Sequence, residues 1–106
     1  MARALVNVPK VAKQGEVVEI KAMIAHPMET GYRIGPNGSN IPRDIIRRFT
    51  CTYDGAEVFS ADLFPAVSAN PFIAFTLVAT TSGTIDFTWT DDAGKTQTAS
   101  ATITVS

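Results

Sequence analysis

At 106 residues the chain is long enough for one hydrophobic core and too short for two. Nine basic side chains against ten acidic ones leave a net charge of −1, which argues against nucleic acid, where a basic face would be expected, and gives no polybasic patch for a membrane surface. Only 18% of the residues are charged, below the roughly 25% of an ordinary soluble domain, so some apolar surface is expected to seek a partner.

The chain opens on "RALVNVP", 3–9, a short predicted strand ended by Pro9. In "MARALVNVPKVAKQG" the apolar run is broken by Lys10, Lys13 and Gly15, so no secretory h-region is expected, and no run approaches the roughly 20 residues of a membrane helix. "EVVEIKAMIA", 16–25, places Val18, Ile20, Ala22 and Ile24 on one face and Glu19 and Lys21 on the other, the period of a half-buried strand. An irregular stretch, 26–45, follows and begins "HPMETGYR". It is long for a connection in a compact domain, and such loops are often functional.

"RRFTCTYDGAEVFSA", 47–61, reads as two strands around Asp54-Gly55, a strong hairpin signal. A second irregular stretch is "DLFPAVSANP", 62–71. "FIAFTLVAT", 72–80, is apolar on both faces, as in a central strand. "GTIDFTWTDD", 83–92, alternates, with Ile85, Phe87 and Trp89 inward. "KTQTASATITVS", 95–106, does the same with Ala99, Ala101, Ile103 and Val105. "DDAG", 91–94, joins these two as a hairpin turn in which Gly94 can take positive φ. About seven strands with turn signals between them predict an all-β fold, an immunoglobulin-like antiparallel sandwich in a single domain over 1–106. The Cys–Trp–Cys hallmark of antibody domains is missing.

Little in the sequence carries chemistry. Cys51 excludes an internal disulfide, being alone. It shares strand parity with Phe49 and Tyr53, so it is expected in the core with a raised pKa, inert rather than paired with His26 as a nucleophile. One histidine and scattered carboxylates show no metal-ligand spacing, and no cofactor motif is present. Asp91 and Asp92, adjacent on a strand, point to opposite faces and suit a turn better than acid–base work. "GPNGSN", 35–40, lacks the lysine and hydroxyl of a phosphate loop and is turn chemistry. Arg43, Arg47 and Arg48 form a small basic cluster with Asp44 as the expected partner. Met28, Tyr32, Phe59, Phe64 and Phe72 are more large apolar side chains than one small sandwich should hide, and such residues are enriched in interfaces. They are the candidate partner-contact residues, with Pro27 and Gly31 leaving Met28 and Tyr32 free to present apolar surface.

The string "HPMETGYRIGPNGSNIPRDIIRRFTC", together with "SANPFIAF" and "GTIDFTWTDDAG", resembles the SoxZ family along nearly the whole chain. The resemblance implies an immunoglobulin-like, non-catalytic subunit of a sulfur-carrier complex of bacterial thiosulfate oxidation. It implies SoxY as the partner, in a heterodimer or heterotetramer, with the sulfur cargo on a SoxY cysteine in a mobile Gly-Gly-Cys-Gly-Gly arm and other Sox enzymes as transient visitors. It further implies the periplasm, reached together with SoxY. This sequence shows no such glycine arm, and with the cargo cysteine placed on SoxY by the resemblance, Cys51 is not expected to be the carrier cysteine. Self-association of the isolated chain through the same apolar surface is compatible with this reading. The rival readings are a stand-alone immunoglobulin-like ligand-binding or adhesion module, and a small thiol enzyme using Cys51 and His26.

Overall fold

The computed structural model describes residues 3–106. Eight strands follow one another: β1 (Arg3–Asn7), β2 (Val11–Ala12), β3 (Val17–Ala25), β4 (Ile46–Tyr53), β5 (Ala56–Asp62), β6 (Phe72–Val78), β7 (Gly83–Asp91) and β8 (Thr96–Val105). They form a three-stranded sheet in the order β1-β3-β6 and a five-stranded sheet in the order β2-β8-β7-β4-β5. The two pack as an all-β sandwich of the immunoglobulin-like kind that the turn spacing and alternation predict. All pairings are antiparallel except the short β2–β8 contact, in which Val11 and Ala12 run alongside Thr104 and Val105. That two-residue strand is the one the sequence does not signal, because Lys10, Lys13 and Gly15 interrupt its pattern.

Alternation is what builds the core. From β3 the inward residues are Val18, Ile20, Ala22 and Ile24; from β7 they are Ile85, Phe87 and Trp89, all buried as expected. In β4 Phe49, Cys51 and Tyr53 keep one parity, yet Ile46 is buried too. A register shift between Ile46 and Arg48 against β7 inserts the extra residue that turns both sets inward. Phe49 is the centre of an aromatic cluster, with ring centroids 5.2 Å from Trp89, 6.1 Å from Phe59 and 6.2 Å from Phe87. At the open flank between β5 and β6, Phe59 stacks on Phe75 at 4.4 Å. Phe59 is half-buried, packed against the core rather than standing free as expected.

The Asp54-Gly55 turn takes positive φ at both residues (51° and 86°), the type I′ geometry whose twist matches the flanking strands. Where β4 ends, the Tyr53 hydroxyl accepts from the amides of Thr80 and Thr81, 3.2 Å each, and donates to the Thr81 carbonyl. One phenol thus satisfies the connection between the two sheets.

The reading of 72–80 as a central strand is corrected. β6 pairs with β3 alone and is an edge. Its inward residues Ile73, Phe75 and Leu77 face the core, while Phe72, Ala74, Thr76 and Val78 are exposed. Apolarity on both faces here reflects an uncovered outer face, not burial on two sides.

Candidate functional site

The irregular stretch between β3 and β4 is an arm. Glu29 and Asp44 exchange two backbone hydrogen bonds of 2.9 Å and close its base. Further out, the Ile41 amide donates to the Arg33 carbonyl at 2.7 Å and the Gly35 amide to the Ser39 carbonyl at 2.8 Å. The turn "GPNGSN" sits at the tip, with Gly38 at φ 79° and the Asn37 side chain accepting from the Ser39 amide at 3.1 Å. Nearly every arm residue from Tyr32 to Asp44 is exposed. The molecule measures 59 × 19 × 18 Å with a radius of gyration of 16.1 Å, against about 13 Å for a compact domain of this length. Nine-residue strands account for only about 30 Å of that length, and the connections beyond the strand ends, the arm among them, must supply the rest.

Although it stands away from the body, the arm is braced. Arg33 pairs with Glu29 (2.6 Å) along it. Arg43 grips Asp92 in the β7–β8 turn with two bonds of 2.9 and 2.7 Å, and Asp92 also accepts from the Ile45 amide at 3.1 Å. Burial alone would raise the Asp92 carboxyl; the bonds from Arg43 and Ile45 outweigh it and hold the group below the usual carboxylate range. At Gly31, φ is 87° and an added Cβ would lie 3.0 Å from the Arg43 Cβ, so only glycine fits where the two legs of the arm meet.

His26 is the root. It is buried, and its Nδ1 accepts from the Met28 amide at 3.0 Å. Its backbone amide donates to Asn70 Oδ1 (3.0 Å) and its carbonyl accepts from the Asn70 amide (2.8 Å). This ties the 62–71 connection to the arm's base. Nε2 lies 3.8 Å from Asp44, and both line an open cleft of about 500 Å³ together with Trp89, Asp91, Lys95 and Gln97. The Cys51 thiol points into the core, hydrogen-bonds only to the neighbouring Thr52 carbonyl, and is pushed up to about 11 by burial, helped by the negative charge of Asp86. Histidine and thiol are not brought together. Among the described residues no group of three or more His, Cys, Asp or Glu side chains is arranged to hold a metal ion.

Three expectations need correction. Met28 does not present apolar surface: it is only 4% exposed, and its Sδ accepts from the Ile46 amide at 3.2 Å. The cause is a positive φ of 53° at Met28 itself, which turns the side chain back under the start of β4. Asp44 is not the partner of the arginine cluster. Arg43 takes Asp92, Arg48 takes Asp62 at 2.6 Å, and Arg47 donates to the Asp91 carbonyl at 3.2 Å. Phe59 is spent largely on the core. By contrast Tyr32, Phe64 and Phe72 are 77%, 64% and 60% exposed, as interface candidates must be. Ile34 on the arm joins them; nothing in its local sequence marked it.

The protein is thus an all-β sandwich with a braced, projecting arm. Residues 6–102 match the family model described as "Sulphur oxidation protein SoxZ", and the chain belongs to the SoxZ family, a component of the Sox sulfur-oxidation system. No curated protein sequence matches it significantly. Among solved structures it is similar to the superoxide reductase (neelaredoxin) of Ignicoccus hospitalis, with 17% identity, a TM-score of 0.76, and 97% of this chain and 80% of that one covered. It is likewise similar to the sulfur carrier protein SoxY of Chlorobium limicola f thiosulfatophilum, with 14% identity, a TM-score of 0.68, and 97% and 78% covered. At these identities both likenesses concern the fold.

Proposed function

We propose that this chain is a non-catalytic subunit of a periplasmic sulfur-carrier complex and binds a SoxY-like protein, whose cysteine carries the sulfur. The family match over residues 6–102 carries this reading. The burial of Cys51 and its raised pKa favour it over a thiol enzyme, since a thiol near 11 is almost wholly protonated at neutral pH. Exposed Tyr32, Phe64 and Phe72 supply apolar anchors, the class of residue that dominates interface energetics. The braced arm supports binding because backbone hydrogen bonds and the Arg43–Asp92 pair hold its main chain in place, and a pre-organised backbone lowers the entropic cost of association.

The test mixes purified chain with its cognate SoxY-like subunit and measures mass by light scattering on a sizing column. The expected product is a stable hetero-oligomer burying on the order of 1,600 Å². Tyr32→Ala or Phe64→Ala should weaken it by more than about 1 kcal/mol while leaving the fold intact. Two proteins that elute apart at micromolar concentration would contradict the proposal.

A further inference from the structure

A sandwich of this kind has four sheet edges, and exposed edges invite pairing unless they are blunted. β1 is short, carries Arg3 and packs beside β8. β2 is two residues long. β5 carries Glu57 and Asp62, and its pairing with β4 shifts register at Cys51/Thr52. Each of these three therefore has one of the protective devices natural sheets use. β6 has none. Its sequence, FIAFTLV, holds no charge, proline or glycine, and it pairs with β3 over seven consecutive residues without a bulge.

The backbone groups that β6 leaves open follow from two hydrogen bonds. The Ile24 amide donates to the Pro71 carbonyl and the Ala79 amide to the Glu16 carbonyl. In an antiparallel ladder bonded pairs alternate with non-bonded ones. So Ile73, Phe75 and Leu77 turn their backbone groups to β3, and Phe72, Ala74, Thr76 and Val78 turn theirs to the free edge.

We infer that this edge is a homodimer interface: two copies join antiparallel through β6 about a two-fold axis at Phe75. In that register Phe72 lies opposite the second copy's Val78, and Ala74 opposite its Thr76. All four outward residues on each copy then fall in bonded pairs, each exchanging two hydrogen bonds. Any other two-fold register leaves some of them unpaired. The side chains agree with the backbone. On the outer face Leu5, Met23 and Phe72 form one cross-strand row, and Val17 and Val78 another. Leu5, Phe72, Val17 and Val78 are exposed in the single chain. Across the joint the first row would run into the second copy's Val78 and Val17, and the symmetry repeats this once more. On the inner face, Phe75 would meet its own equivalent and cover the half-exposed Phe59–Phe75 stack. No charged side chain in β6 opposes its copy. One open edge per chain yields a closed dimer, since pairing leaves no second free edge to extend a filament.

This inference does not depend on the partner proposed above, and the measurements that decide it use the chain alone. Light scattering at tens of micromolar should give twice the mass of one chain, falling toward a single mass on dilution. Hydrogen exchange should show the amides of Phe72, Ala74, Thr76 and Val78 protected at high concentration and unprotected when dilute. Thr76→Pro removes an outward N–H without touching the β3 ladder, as proline is tolerated on a free edge; it should be folded by circular dichroism and monomeric. A wild-type chain that stays monomeric at that concentration would overturn the inference, as would a folded Thr76→Pro variant that remains dimeric. So would exchange of those four amides that is independent of concentration, a readout that holds even if the variant fails to fold. A monomeric chain whose Thr76→Pro form loses binding to a SoxY-like subunit would assign the edge to that partner instead.

Discussion

Cys51 and Trp89 show how far strand parity reaches for single residues. Both lie on inward positions of β4 and β7, and both are almost fully buried. At a pKa of about 11, roughly one Cys51 thiol in ten thousand is ionised at neutral pH, and thiolate is the reactive form. Alkylation of the native protein by iodoacetamide at neutral pH should therefore be slow and should become fast in urea. Rapid labelling without denaturant would place the thiol at the surface. Trp89 packs 5.2 Å from Phe49 and lines the same cleft as His26. Trp89→Ala should cost about 3–5 kcal/mol in urea unfolding, the usual loss for a buried aromatic. That is a large share of the ~5–15 kcal/mol holding a small domain together, and a loss below about 1 kcal/mol would contradict the packing. Met28 marks where parity stops being informative: outside the ladder, its side-chain direction is set by one positive φ.

At the scale of elements, the arm and the β7–β8 hairpin are one mechanical unit. Asp91 and Asp92 divide the work, as their opposed directions foretold. Asp91 Oδ1 accepts from the amides of Ala93 and Lys95 (3.0 and 2.9 Å) and shapes the turn, while Asp92 holds Arg43 and the Ile45 amide. Because the Asp92 carboxyl is lowered in the folded chain, the folded state binds its proton less readily than the unfolded state. The stability it adds is present above its ordinary value of 3.8 and is lost as pH falls through the lowered value. Asp92→Asn should therefore destabilise by about 1 kcal/mol at neutral pH, a figure kept small because the pair is partly exposed. The gap from wild type should shrink as pH drops below 3.8. A gap that is constant with pH, measured by urea midpoints, would show that the carboxylate's charge contributes nothing.

For the whole molecule, seven of the eight strands, the Asp54-Gly55 turn, the β7–β8 hairpin and most of the core were legible in the sequence; the two-residue β2 was not. Each rests on local physics: a period of two, positive φ at turn residues, and an apolar set on one face. The stretch 26–45 could be recognised as special by its length and composition. The rest was settled only by tertiary structure. Whether "FIAFTLV" lies at the centre or the edge of a sheet depends on strand order, which no local pattern encodes, and both positions tolerate apolar residues on two faces. The partners of Arg43, Arg47 and Arg48 depend on which turn and strand ends the fold brings beside them; Asp92, 49 positions from Arg43, wins over the adjacent Asp44. Exposure divides the five apolar candidates in the same way. Tyr32, Phe64 and Phe72 stay outside because the arm, the β5–β6 connection and the outer sheet face have nothing packed on them, while Met28 and Phe59 are drawn in by neighbours far away in sequence. Local periodicity determined which side chains share a face; only the packing of the two sheets decided which faces are covered.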